Sequence, residues 1–590
     1  MARFTSAVVI KVKGPFLTKS TAAGGLGLDA PAARNPQNKN ELELPWTLVK
    51  GKIREAWTEL EIDKQKIDRW LGEDRRRQEH EAGGEDEKPE GVEPRPSRLS
   101  SRGFHCKAGE TGRRWRVQID ADRGSVGDGM LQELESAAAP GETLEFKGKI
   151  EIRAQGAAEA DEIRRHVELA LLWTPNLGGL RTIGFGRVAA ASVTEPEAAH
   201  TQKQTLEKRS DRIELLLWPD RPFCFAKAGS PRGNLFESTD FIPGAALKAA
   251  VSVAMEDRGG SKEFTNLHEH LDKVRFTHAL PCGEEGVRPC YAPKSVVVAQ
   301  DQLYDVIDCN GARTIGGEAP KFQTDWKSSD KNLVRAAYPW PKVKRDLRVR
   351  TAIDSAQRRA DRGRLFALET VVPELGPWAG SVDLGLIDES ARRGVEDELL
   401  QVFREALGPL GKTQMFAPVE PKASQWQDVE PRADGTWTLT LQSAAILADP
   451  ERLLEDRDLF KAYRGAIGEM SDESLELERF FSEESLAGGY YLHKRFQWHQ
   501  GTRYMPYLLT EPGSVFLVKA TNGKAAGCVN EWARFGLPTP DWATKRYGRP
   551  NSKPWEWLPY LRENGYGEVA INLTREAIPA PPSEEDADGQ

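Results

Sequence analysis

The chain has 590 residues, of which 39% are hydrophobic and 8% aromatic, and its formal net charge is −8. That length exceeds what one core can organise and implies roughly two to four domains, while the acidic balance excludes wholesale coating of nucleic acid but leaves room for a local basic groove. No run approaches the roughly 18 apolar residues of a membrane span, the opening MARFTSAVVIKVKG lacks a signal-peptide core, and six cysteines make no disulfide framework, so a cytoplasmic protein without membrane partners is expected.

In chain order, Val8, Ile10 and Val12 alternate as in a half-buried strand. A loop containing Gly24, Gly25 and Gly27 leads to Asp29, and Pro45 precedes a helix expected from about Val49 to Leu71. The stretch 72–102 is charged, rich in Gly and Pro, and reads as a disordered insertion. Strands are expected near 113–120 and 142–153 and a helix over Ala157–Leu172, followed by the glycine loop and strand GGLRTIGFGRVAAASV at 178–193. A second unit starts at RIELLLW (212–218) and includes a helix near 390–407, with Val395, Leu399, Val402 and Phe403 at helical spacing. Its segment 257–350 is the least regular part of the chain. A third piece holds TWTLTLQSAAIL (436–447), PGSVFLVKA (512–520) and NGYGEVAINL (564–573), and the tail 576–590 reads as disordered. The expected division is 1–200, 205–425 and 430–575.

Part of the chain is written twice. Residues 117–135 (VQIDADRGSVGDGMLQELE) slide without a gap over 351–369 (TAIDSAQRRADRGRLFALE), placing Ile119 on Ile353, Asp120 on Asp354, Gly129 on Gly363 and Glu135 on Glu369. Upstream, both copies read Pro-x4-Lys, with Pro45 and Lys50 matching Pro243 and Lys248. Downstream, LGGLRT (177–182) matches LGPLGKT (407–413). A duplicated unit of domain size is a tandem, not a solenoid. The order strand, helix, strands, helix, strand points to an α+β class: tandem ferredoxin-like, RRM-like domains with antiparallel sheets.

Three clusters suit an anionic ligand. Lys50, Lys52 and Arg54 open a helix, where three cations oppose the macrodipole unless an anion neutralises them; an ordinary solvated basic face is the plainer alternative. In GGLRTIGFGRV, Gly179, Gly184 and Gly186 interleave with Arg181, Phe185 and Arg187, a combination suited to a ribose-phosphate backbone with one stacked base. Gly565 and Gly567 repeat the Gly-aromatic-Gly pattern in the third piece. The basic run 342–350, with Arg358, Arg359, Arg362 and Arg364, suits a nucleic-acid channel or a solvated face. Cys282, Cys290, Cys309 and His278 offer zinc donors, but their spacing matches no recognised finger. His493 and His499 lie near an aromatic and basic cluster and match no catalytic motif.

The stretch GLDAPAARNPQNKNELELPWTLVKGKIR, together with the paired Ile-Asp…Leu…Glu elements, the glycine loop, LGPLGKT, PGSVFLVK and NGYGEVAIN, resembles the CRISPR RAMP superfamily. The likeness is to type III effector subunits of Csm/Cmr kind, nearest the III-D arrangement. It implies a subunit that binds CRISPR guide RNA within a type III effector complex, alongside other subunits and target RNA. It also implies an endoribonuclease in which Asp29 cuts target RNA with a divalent metal (Mg or Mn). Lys50, Arg54, Arg181, Arg187 and, in the second unit, Lys248 would hold phosphates. Trp46 stands where the family has glycine, and the second unit has no aspartate between Arg221 and Thr239. Two other readings remain open: a structural or capping subunit that cuts nothing, and a guide-processing endoribonuclease acting through His493 or His499.

Overall fold

The computed structural model describes residues 2–19, 28–72, 97–198, 206–227, 234–308, 314–489, 492–497 and 505–573, except 110, 121, 207, 208, 284, 285, 316, 355–358 and 375. In the first part, strand β1 (Ala2–Lys13) is followed by helix α1 (Trp46–Glu59), β2 (Leu99–Lys107), β3 (Gly112–Ile119), β4 (Val126–Ser136), β5 (Thr143–Ala154), α2 (Ala157–Trp173) and β6 (Arg187–Val193). The second contains β7 (Arg212–Leu217), α3 (Gly244–Asp257), β8 (Arg275–Phe276), β9 (Lys344–Asp354), β10 (Arg359–Val372), β11 (Trp378–Asp383), α4 (Glu389–Phe403) and β12 (Val419–Ser424). The third contains β13 (Thr436–Leu441), α5 (Leu459–Met470), β14 (Leu475–Phe481), β15 (Val515–Ala520), α6 (Ala525–Phe535) and β16 (Val569–Ile571).

All three parts build the same antiparallel sheet. The strand orders are β2-β5-β1-β6, β8-β11-β7-β12 and β14-β15-β13-β16, which is 2-3-1-4 counting the sheet strands of each part in chain order. With a helix after the first and third strands, this is a ferredoxin-like βαββαβ order, and the chain is α+β. Period-two alternation explains β1: Val8, Ile10 and Val12 are buried while Ala7, Lys11 and Lys13 are exposed. The largest buried clusters draw on residues 4–193, 213–419 and 437–569, so each sheet packs its helices on its own apolar face.

The duplicated sentence folds as a hairpin in both copies. Val117 pairs with Leu131 and Thr351 with Leu365, the same register after the shift of 234 positions. Each hairpin leaves its sheet between the second and third strands and forms a separate two- or three-stranded ribbon.

Several expectations are corrected. The helix expected over 49–71 is two helices, Trp46–Glu59 and Lys64–Leu71, interrupted where Glu61 takes φ 56° and Asp63 caps the second. Ser97 and residues 99–101, counted in the disordered insertion, are buried, and β2 begins at Leu99; residues 73–96 lie outside the described residues. Polar side chains hid that strand, and the structure satisfies them locally, as Ser101 Oγ donates to Lys149 O at 2.7 Å. LGPLGKT is not a copy of the first glycine loop. Leu407–Leu410 pairs with Met415–Ala417, whereas Arg181–Ile183 and Arg562–Asn564 are both 3-10 turns followed by Gly-aromatic-Gly. Gly24, Gly25, Gly27 and the tail 576–590 lie outside the described residues.

Candidate RNA interface

The base of the first hairpin gathers the loop acid, two arginines and the glycine turn. Asp29 is exposed, and its Oδ2 accepts the Glu133 backbone N–H at 2.7 Å while its own N–H donates to Glu133 O at 3.0 Å. One carboxylate oxygen is therefore pinned to β4 and the other is left to solvent. The Glu133 carboxylate pairs with Arg113 at 3.0 Å, and Glu135 accepts the Ala32 N–H at 2.7 Å. Next to Arg113, Arg114 lies 5.5 Å over the Phe185 ring of the glycine turn.

Within that turn Gly184 and Gly186 have φ of 86° and 67°, and a Cβ on Gly186 would meet Leu177 O at 1.9 Å, so only glycine fits. Gly179 N–H donates to Leu17 O at 2.7 Å, tying the turn to the end of β1. This packing leaves Arg181 and Arg187 exposed, and among the described residues neither makes an ion pair. Phe185 corrects an expectation: it is 3% exposed and belongs to the first core, so it offers no face to a base.

The exposed aromatic is instead Trp115, 65% exposed on β3 and missed in the sequence reading. Alternation along the hairpin puts it on one face with Val117 and, across the ladder, Leu131, all exposed. The second hairpin repeats the arrangement with Leu347, Val349 and Leu365. The signal was legible as Arg-Arg-Trp-Arg at 113–116, a basic strand carrying an aromatic with no core to enter.

Lys50 is mostly buried on α1 and has no hydrogen-bond or ion-pair partner among the described residues. Burial, then the charge of Arg54, pushes its ammonium down to about 8. Lys52 pairs with Glu55, and Arg54 pairs with Asp68 at 3.2 Å and donates to Leu71 O and Gly72 O, bracing the two helices. Lys52 and Arg54 are thus engaged within the fold, not presented to a ligand.

The second-part assignments are corrected too. Lys248 donates to Asp272 O at 3.0 Å, close to the charge of Glu563, and burial brings its ammonium down to about 8. A Cβ on Gly565 would lie 2.7 Å from Phe276 O and His278 Nδ1, and one on Gly567 would lie 3.2 Å from Leu537 O. Lys248, Gly565 and Gly567 therefore build the junction of the second and third parts. The zinc donors are used otherwise: His278 Nδ1 accepts the Gly244 N–H, its ring stacks on Phe241 at 4.7 Å, and burial pushes it down to about 3. Cys282 is buried, Cys309 and His499 lie outside the described residues, and His493 sits in a π-helical turn beside Gln497.

Backbone register shows which residue of the second part replaces Asp29. Ala30 bridges Leu134 in parallel, and Phe236 pairs with Leu368, its equivalent, also in parallel. The residue before each bridge is Asp29 in the first part and Leu235 in the second. The described residues around Asp29 supply few donors for a divalent cation. One of its oxygens is taken, the Glu133 carboxylate is taken by Arg113, and no group of three or more His, Cys, Asp or Glu able to hold a metal occurs among the described residues.

No protein-family model matches the chain, and no curated protein matches it. Two solved chains from cryo-EM structures of the Type III-B Cmr-beta are similar to it. The first, from the assembly bound to cognate target RNA, is 14% identical, with a TM-score of 0.24 over 33% of this chain and 61% of that one. The chain thus spans about three-fifths of that structure's length. The second, from the assembly bound to cognate target RNA and AMPPnP, is 11% identical, with a TM-score of 0.28 over 52% of this chain and 86% of that one. No helix among the described residues is long and apolar enough to cross a membrane.

Proposed function

We propose that this chain is an RNA-binding subunit of a type III CRISPR effector complex, holding guide RNA and cutting the paired target RNA once, at Asp29. The observation that carries the reading is the pair of register-equivalent hairpins whose exposed apolar faces lie beside arginines. An exposed apolar face of this kind marks a binding surface, and rings flanked by cations suit unstacked bases and phosphates. In this reading the second carboxylate oxygen of Asp29, beneath the first hairpin, accepts the proton of a 2′-hydroxyl as the hydroxyl oxygen attacks the neighbouring phosphorus. The leaving 5′-oxygen then takes a proton from water. Arg181 and Arg187 are available to bind the phosphate. A structural subunit that cuts nothing is the second reading, favoured by the scarcity of metal donors around Asp29 among the described residues.

The first test is Trp115→Ala. Loss of one stacking platform contributing about 1–3 kcal/mol weakens RNA binding roughly 5- to 150-fold, read by fluorescence anisotropy with a single-stranded RNA at fixed salt. Unchanged affinity would count against the hairpin as the binding surface. A second test uses protons. Because Lys50 is held down to about 8, it is largely neutral at pH 9, and a phosphate beside it restores the charged form. RNA binding therefore takes up close to one proton between about pH 8 and the ordinary lysine value near 10.4. Calorimetry at pH 9 in two buffers of different ionisation enthalpy measures the uptake, which Lys50→Met abolishes. A buffer-independent enthalpy in the unmodified chain would remove Lys50 from the interface.

A further inference from the structure

A cleft of about 480 Å³ lies between the first sheet and the second part of the chain, roofed by β9 of the second hairpin and lined by none of Asp29, Trp115, Arg181 and Arg187. Its floor comes from Thr5, Ser101 and Lys149 on the open sheet face, its side from Pro45–Thr47, and its roof from Arg221, Arg348 and Arg350 with Thr413. The acids along it are already matched. Glu43 faces Arg348 at 3.4 Å, Glu151 pairs with Arg3 at 2.9 Å, and Asp220 pairs with Arg221 at 2.6 Å and Arg102 at 3.4 Å. Arg350 and Lys149 are left over: among the described residues neither has a hydrogen-bond or ion-pair partner.

Two further groups on this wall lack partners. Trp46 is 9% exposed with its Nε1 buried and unbonded, and Thr413 Oγ1 is likewise buried and unbonded. Buried polar groups left this way are costly, and two of them with two unpaired cations around one cavity describe a missing ligand. Electrostatics agree: burial, then the Arg348 charge, lowers Arg350, so an anion beside it is favoured. The volume is in the range of small-ligand sites and is far larger than a bare phosphate needs, yet no double helix enters it.

We propose that this cleft seats one nucleotide of a single RNA strand, its phosphate against Arg350 and Lys149 and its base edge against Trp46 Nε1 and Thr413 Oγ1. The assignment rests on the RNA reading above but uses none of Asp29, Lys50, Trp115, Arg181 and Arg187, so the two fail separately. The indole N–H donates and the threonine hydroxyl donates or accepts, a pairing that fits a carbonyl or ring nitrogen on a base. Trp46 here supplies a donor, not a stacking face, because its ring is covered.

The test uses the full chain with two probes, AMP and a 12-mer of adenylate RNA. Arg350→Gln lowers RNA affinity about tenfold or more, as loss of hydrogen bonds from a charged group does, and reduces the salt slope by about one phosphate contact. AMP binding, followed by calorimetry, is abolished by Arg350→Gln and weakened several-fold by Trp46→Phe, which keeps the ring and removes the N–H. Among the described residues Arg350 has no partner to lose, and Lys149→Gln, at an exposed position, provides a second variant that does not disturb the core. If RNA binds and all three variants retain full affinity and slope, the cleft assignment is overturned and the RNA reading stands. If AMP binds in an Arg350-dependent way while RNA does not, the cleft stands and the RNA reading falls. If neither probe binds, both fall.

Discussion

Asp29→Asn leaves guide and target RNA bound and lowers the rate of target cutting by about 10²- to 10⁴-fold, the range that a positioned general base supplies. The choice of asparagine follows from the geometry. Asp29 Oδ2 holds the Glu133 N–H at 2.7 Å, and an amide oxygen keeps that bond, so the loop stays on the hairpin. What is lost is the basicity of the second oxygen. Product lengths on a denaturing gel provide the second readout. The position equivalent to Asp29 in the second part is Leu235, which has no proton acceptor, so one cut per chain is expected and not two. Unreduced cutting at the same phosphate in the asparagine variant would transfer the chemistry elsewhere and leave the chain as a structural subunit.

How much of this was legible depends on where the information lies along the chain. The hairpin repeat was visible because both of its strands sit within one short sentence, and pairing such as Val117 with Leu131 or Thr351 with Leu365 needs no distant partner. Helix α4 was visible for the same reason, since Val395, Leu399, Val402 and Phe403 recur at helical spacing. Strand β2 was not, because Ser100 and Ser101 look like loop residues until the neighbouring strand satisfies them. The third sheet read only as a fragment: its last strand is three residues long and closes after an excursion from β14 to β15.

The site was legible in kind more than in detail. Asp29 lies exposed at a hairpin base, and the glycine turn is tied to it through Arg114, yet the aromatic that faces outward is Trp115 and not Phe185. Periodicity cannot distinguish these two rings, since burial of Phe185 depends on the end of β1, far away in the chain. Lys248 shows the same limit. Its environment is completed by Glu563, and no local pattern at Pro243 announces a partner more than three hundred residues downstream.

That junction carries the largest stability effect. Glu568 accepts from Arg288 through both oxygens, at 2.9 and 2.8 Å, and lies near the fully buried Arg275, whose guanidinium donates to Arg534 O at 2.7 Å. Burial alone would raise the Glu568 carboxyl, but the charges of Arg288 and Arg275 and the hydrogen bonds from Arg288 together hold it below the ordinary glutamate range. Glu568→Gln preserves the volume, leaves Arg288 without its counter-charge and leaves Arg275 with only that of Asp383, which costs about 3 kcal/mol, the low end for breaking a buried pair because Arg288 keeps some solvent contact. For a cooperative unit of about 150–250 residues this lowers the unfolding temperature by roughly 6–12 °C. The pH dependence has a definite sign. A carboxyl whose folded value is depressed stabilises above its unfolded value near 4.3 and loses that contribution as pH falls through the folded value. Calorimetric melts of the unmodified chain should therefore lose stability in this transition below about pH 4, and the glutamine variant, already without the charge, should show less of that loss. Equal melting of the two chains at pH 7 would mean that Arg288 and Arg275 find other compensation, and that the second and third sheets are held together by apolar packing alone.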